Sequence, residues 1–164
     1  MKKKLSFLSS ALLMLMAMIL KPLGAHAQSE EPIISFHTNV YEKAQGTGVT
    51  PSVSFVLGAA NTKQVVSIDC GNGEEEFDVD VAQTGENQSI KGSLYTGQVS
   101  KEGWVKIYGD PSQIYYFNAS GNEIDAIKFN SNLGLRVLNL EHNVLTSLNI
   151  DDLKGLQIIY LQDN

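Results

Sequence analysis

The chain has 164 residues, with 12 lysines and arginines against 18 aspartates and glutamates, one cysteine and one tryptophan. The acidic balance repels phosphate backbones and anionic lipid, which argues against nucleic acid and charged membrane surfaces as partners. A single cysteine, Cys70, excludes an intrachain disulfide.

The first 27 residues carry the marks of a secretory signal peptide. Lys2, Lys3 and Lys4 form a basic head, Leu5 to Leu20 is an apolar run, and Ala25-His26-Ala27 places small residues around a cut after Ala27. The unbroken apolar core from Ala11 to Leu20 is short against the roughly 20 residues a membrane span requires. Residues 1–27 are therefore expected to be removed, leaving 137 of the 164 residues and no integral membrane segment. Lys2, Lys3, Lys4 and Lys21 leave with them. The 12 basic residues fall to 8 against 18 acidic, a formal charge of −10.

From residue 28 to 102 the pattern alternates with period two, the signature of strands with one buried face. Ile34 and Phe36 share a face, as do Val53, Phe55 and Leu57, and Phe77, Val79 and Val81. In VVSIDC, the alternation of Val66, Ile68 and Cys70 makes Cys70 a small buried hydrophobe. Gly71-Asn72-Gly73 follows, and its Asn-Gly pair predicts a tight hairpin turn into EEEFDV. EKAQGTG and AQTGENQ read as loops, and SIKGSLY and GWVKIYGD as later strands. Residues 28–102 are thus expected to form a small antiparallel β domain, with 103–113 as a junction or capping strand.

Residues 114–164 repeat at 21-residue intervals. Leu135, Leu138, Leu140 and Asn143 recur downstream as Leu156, Ile159, Leu161 and Asn164, and upstream as Ile114, Phe117, Ala119 and Asn122. Ile124, Ile127 and Phe129 map in the same way onto Leu145, Leu148 and Ile150. A fixed period of this length signals stacked structural units. LRVLNLEHNVL and the more degenerate IYYFNASGNEI resemble the leucine-rich-repeat family, in which L-x-x-L-x-L-x-x-N-x-L marks a strand and its turn. With the preceding segments, the chain resembles internalin-like leucine-rich-repeat proteins exported to bacterial surfaces. The resemblance implies a mainly β fold, an antiparallel β domain followed by a short solenoid of two repeats and a partial third. The third copy stops at Asn164, so its final turn is expected to fray.

Conventional chemistry is scarce. Asp69 to Gly73 lacks the alternating oxygen ligands of a calcium loop, and Glu76, Asp78 and Asp80 read as the wet side of a strand. After the signal is lost, His37 and His142 stand in no metal-binding spacing, and no nucleophile motif is present. No catalytic residue, metal or cofactor is expected. Asn122, Asn143 and Asn164 read as a structural ladder, since a buried amide supplies a donor and an acceptor where each repeat turns.

The resemblance implies that residues between the inward leucines line a concave face. These are Tyr116, Asn118 and Ser120, then Val137, Asn139 and Glu141, then Ile158, Tyr160 and Gln162. Aromatic and aliphatic groups beside amides suit contact with a protein or a glycan. The expected function is a non-enzymatic, secreted or cell-surface adhesion module whose partner is a protein or polysaccharide outside the cell. The alternative is an accessory domain of a larger secreted enzyme, such as a glycan-degrading one.

Overall fold

Period-two alternation sets the element order. The computed structural model describes residues 31–84 and 90–164; the expected signal peptide lies outside the described residues. The strands are β1 (Ile34–Thr38), β2 (Ser52–Ala59), β3 (Gln64–Asp69), β4 (Glu74–Val79), β5 (Gln83–Thr84), β6 (Ile90–Lys91), β7 (Ser93–Gln98), β8 (Trp104–Tyr108), β9 (Ile114–Asn118), β10 (Ile124–Phe129), β11 (Val137–Asn139) and β12 (Ile158–Tyr160). A five-residue helix, α1 (Val40–Ala44), occupies part of the stretch expected as a loop. The result is mainly β, with antiparallel sheets.

Two five-stranded sheets carry the core. The first runs β10-β1-β8-β3-β4 and the second β12-β11-β9-β2-β7. Phe36 of the first sheet meets Phe55 and Phe117 of the second, at centroid distances of 5.7 and 6.2 Å. All three side chains are fully buried. Burial of each contributes about 1.5–3 kcal/mol relative to exposure. Strands from both sides of residue 102 share each sheet, and one apolar cluster runs through them all.

The Gly71-Asn72-Gly73 hairpin forms, but not as an Asn-Gly two-residue turn. Gly71 and Gly73 take the positive φ values, 87° and 105°. Asp69 Oδ1 accepts from the backbone N–H of both, at 2.7 and 3.3 Å. The aspartate side chain therefore selects a longer loop than the dipeptide alone suggests.

The 21-residue spacing becomes a parallel register in the second sheet. Val137 lies across from Tyr116 and Ile158, Leu138 from Phe117 and Ile159, and Asn139 from Asn118 and Tyr160. Outside the strands the same step continues, as in Gly121 N–H to Glu141 C=O and His142 N–H to Gln162 C=O. The second halves of the copies differ. Ile124–Phe129 forms a full strand because β1 offers it an antiparallel edge; residues 145–150 have no such partner and form no strand.

Asn122, Asn143 and Asn164 fill backbone positions left open at each turn. Asn143 Nδ2 donates to the carbonyls of Ala119, Leu140 and Glu141, and its Oδ1 accepts from the N–H groups of Asn122 and Ile124. Asn164 makes the equivalent bonds one step on, to Leu140 and Leu161 carbonyls and Leu145 N–H. The preceding residue is left-handed in each copy: Gly121, His142 and Asp163 have φ of 68°, 54° and 58°. Glycine adopts this region freely and the other two do so at a cost.

Two stability predictions follow from this turn. Asn143→Ala orphans buried carbonyl and N–H groups and is expected to cost about 1–3 kcal/mol in urea denaturation; an unchanged midpoint refutes the role. His142→Gly relieves the left-handed strain and is expected to stabilise by roughly 0.5–1 kcal/mol. Its exposed contact with Asp163, at 3.1 Å, is worth little. A lower midpoint for His142→Gly contradicts this.

Candidate functional site

Residues of the second sheet that alternate with the core-facing set form its outer face, and strand register sorts them into rows. One row is Ile158, Val137, Tyr116 and Gly58; the next is Tyr160, Asn139, Asn118, Val56 and Leu94. Beyond the strand ends, Ser120, Glu141 and Gln162 follow at the same spacing. Six of the nine residues expected on a concave face, Tyr116, Asn118, Val137, Asn139, Ile158 and Tyr160, therefore lie on one side of one sheet, and Ser120, Glu141 and Gln162 lie just past the strand ends. β2 and β7 extend that face with Val56 and Leu94.

The expected exposure of this face needs correction at two positions. Tyr116 is 7% exposed and Val137 3%, whereas Ile158 is 42%, Tyr160 40% and Leu94 66% exposed. The burial of Tyr116 has a visible cause. Ala59 N–H donates to Asp80 C=O and Ala82 N–H to Ala59 C=O, which draws residues 80–82 along the sheet beside Gly58. A Cβ built on Gly58 would lie 2.8 Å from Ala82 Cβ and 3.2 Å from Tyr116 Cβ. The missing side chain lets this segment close over the row. Val137 lies inside the same row, between Tyr116 and Ile158.

The two amides on the face serve their own strands. Asn118 Oδ1 accepts from Ser120 N–H at 3.0 Å and its Nδ2 donates to the Tyr116 hydroxyl at 3.2 Å. Asn139 Oδ1 accepts from Glu141 N–H and its Nδ2 donates to the Glu141 carboxylate, both at 2.9 Å. These are local turns that finish each strand. Gln162 likewise accepts from Leu161 N–H at 3.0 Å. The apolar surface left open is at the two ends, Ile158 and Tyr160 on β12 and Leu94 on β7.

One polar arrangement had no sequence signal. His37 Nδ1 donates to Asp125 at 2.7 Å, and Asn39 Nδ2 to the other oxygen of the same carboxylate at 3.3 Å. The β1–β10 register shifts between His37 and Thr38, which pair with Ala126 and Ile124, leaving Asp125 as the extra residue of a bulge. A bulge re-aims a side chain, and here it brings Asp125 to the face that carries His37. The pair is 88 residues apart in sequence. Among the described residues, no group of three or more histidines, cysteines or acids could hold a metal ion, and no helix is long and apolar enough to cross a membrane.

Cys70 is buried with Val66 and Ile68 on one face of β3 and its continuation. Its sulfur lies 3.5 Å from the Tyr95 hydroxyl, which donates to Glu75. Burial pushes the thiol above its ordinary range, with the Tyr95 contact acting the other way. Burial is also the main cause that raises Tyr95, so the hydroxyl stays protonated. A raised, covered thiol is a poor nucleophile. Cys70 is expected to label at least tenfold more slowly in native protein at mildly alkaline pH than in denaturant; equal rates refute the burial.

No family model, no curated protein and no solved structure matches the chain.

Proposed function

We propose that the chain is an exported, non-enzymatic binding module of leucine-rich-repeat type, and that the outer face of its second sheet contacts a protein partner. The repeat reading is supported by the parallel 21-residue register and by the bonds Asn143 makes to the preceding copy. The export reading rests on residues 1–27 of the sequence alone.

The observation that carries the binding reading is the placement of Tyr160, Ile158 and Leu94. All three are exposed on one sheet face, and Tyr160 and Leu94 end the same cross-strand row. With strands about 4.8 Å apart, the five-strand row spans roughly 19 Å, the scale of a small protein contact. Large exposed apolar groups supply the anchors of such contacts, and here they stand at the two ends of a row whose middle carries two amides. A glycan partner is less favoured on this face, because the amides that would bond its hydroxyls already bond Ser120 and Glu141.

The test is a binding panel of purified extracellular proteins and polysaccharides presented to the mature protein. A protein ligand is expected to bind, and a Tyr160→Ser, Leu94→Ser double variant to lose roughly tenfold or more in affinity. Its melting temperature should stay within a few degrees, since both side chains are exposed. Unchanged affinity, or a ligand set made only of polysaccharides, overturns the reading.

A further inference from the structure

The Gly71-Asn72-Gly73 turn holds a reactive arrangement that the outer face of the second sheet does not use. Asn72-Gly73 is the only Asn-Gly pair in the sequence, and both residues are exposed. In such a pair the glycine nitrogen can attack the side-chain carbonyl carbon of the asparagine, because no Cβ crowds its approach and the glycine backbone turns freely. Gly73 has a φ of 105°, and a Cβ built on it would meet nothing within 4 Å. Its N–H faces Asp69 Oδ1 at 3.3 Å, so a carboxylate already faces the proton that the attack displaces.

The tip of this hairpin is seated closely on the segment that follows β7. Asn72 Nδ2 donates to Gln98 C=O, and Ser100 N–H donates to Cys70 C=O, both at 2.9 Å. A Cβ on Gly71 would lie 2.0 Å from Ser100 Oγ, which leaves no slack between the two chains. Gln98 ends β7, so Asn72 ties a hairpin of the first sheet to a strand of the second. Cys70 adjoins the tip and is buried. Its sulfur is covered from β7 by Tyr95, which is held in turn by Glu75 of β4.

We infer that Asn72 is a site of spontaneous deamidation, and that the product releases the hairpin tip and uncovers Cys70. The Gly73 nitrogen loses its proton and forms a bond to Asn72 Cγ. The Cγ–Nδ2 bond breaks and ammonia leaves, which gives a cyclic imide. Water then opens the ring: attack at the main-chain carbonyl gives isoaspartate, and attack at Cγ gives aspartate. Bulk water is the only co-reactant. Both products replace the Nδ2 donor with a carboxylate oxygen, which meets the Gln98 carbonyl as acceptor against acceptor. The new charge also joins Asp69 and Glu74, the pair that closes the β3–β4 ladder. Isoaspartate further lengthens the main chain, in a turn whose tip is already in contact with Ser100.

The test incubates the mature protein at mildly alkaline pH and follows Asn72 by peptide mapping with mass spectrometry. A synthetic peptide of residues 67–78 serves as the unfolded reference. Asn72 is expected to convert over days, roughly tenfold or more faster than Asn118, Asn139 or Asn143, each of which precedes a residue with a side chain. Conversion should quicken as pH rises, since the nucleophile is the deprotonated nitrogen. Cys70 in the converted fraction is expected to label several-fold faster with a thiol reagent than in fresh protein. Fresh Asn72→Asp, which carries the charge on an unaltered main chain, should show a smaller rise. Asn72→Gln, whose longer side chain closes the imide far more slowly, should keep its starting rate through the same incubation. Intact Asn72 in protein whose reference peptide has converted overturns the modification. Conversion that leaves Cys70 labelling at the fresh rate overturns the release, and so does an equal rise in incubated Asn72→Gln.

Discussion

The second sheet depends on one buried amide. β9 ends at Asn118, across from Val56, so beyond that point β2 has no strand on that side. The Asn122 side chain takes the vacant place: its Oδ1 accepts from Ser54 N–H and its Nδ2 donates to Ser54 C=O, both at 2.8 Å. A third bond to Ser120 C=O, at 3.0 Å, ties the turn to its own strand. Buried backbone groups left unpaired cost about 1–3 kcal/mol each. One side chain thus closes the sandwich and opens the ladder. β2 stands where a preceding copy would stand, and Asn143 and Asn164 reuse the same geometry on the copies that follow.

From that junction the two outer faces acquire their characters. Along β9, β11 and β12 of the second sheet, the 21-residue period in parallel register sets Asn139 beside Asn118 and Val137 beside Tyr116. Stacked side chains cover one another, and the apolar exposure is left to the strands at the ends of the rows. On the first sheet, antiparallel pairing sets unlike residues across from one another, as with Ser35 and Lys106 or Asp69 and Lys106. That mixing sets Trp104, Lys106 and Tyr108 of the central strand among serines, lysines and acids of its neighbours.

Much of this was legible in the sequence because it is periodic. The strands of residues 34–108 and the 21-residue step both arise from side chains that recur at fixed intervals, which a single chain displays without knowledge of its neighbours. What depends on non-local approach was not legible. The exposure expected of Tyr116 followed from its alternation with Phe117, but the chain crossing at Ala82 lies beside Gly58 at the end of that row, and the absence of a side chain at Gly58 permits it. The pairing of Ile124–Phe129 with β1 was hidden for the same reason, since Ile34 and Phe129 lie far apart in sequence and have no repeat relation. The His37–Asp125 contact rests on a bulge, which shifts a residue to the face that alternation denies it.

The sheet edges differ in what they permit. β4 ends the first sheet and carries Glu74, Glu75, Glu76 and Asp78, a density of charge that resists pairing with another strand. β12 ends the second, with Ile158, Ile159, Tyr160 and Leu161 exposed in succession. Because alternate residues point to opposite faces, this run exposes both the outer face and the core-facing side at once. Ile159 occupies the position that Phe117 and Leu138 fill beneath full cover. An edge with exposed aliphatic residues and no charge on the strand does not resist pairing as β4 does. Each added parallel strand would bury Ile159 and Leu161, and would extend the row that Tyr160 now ends.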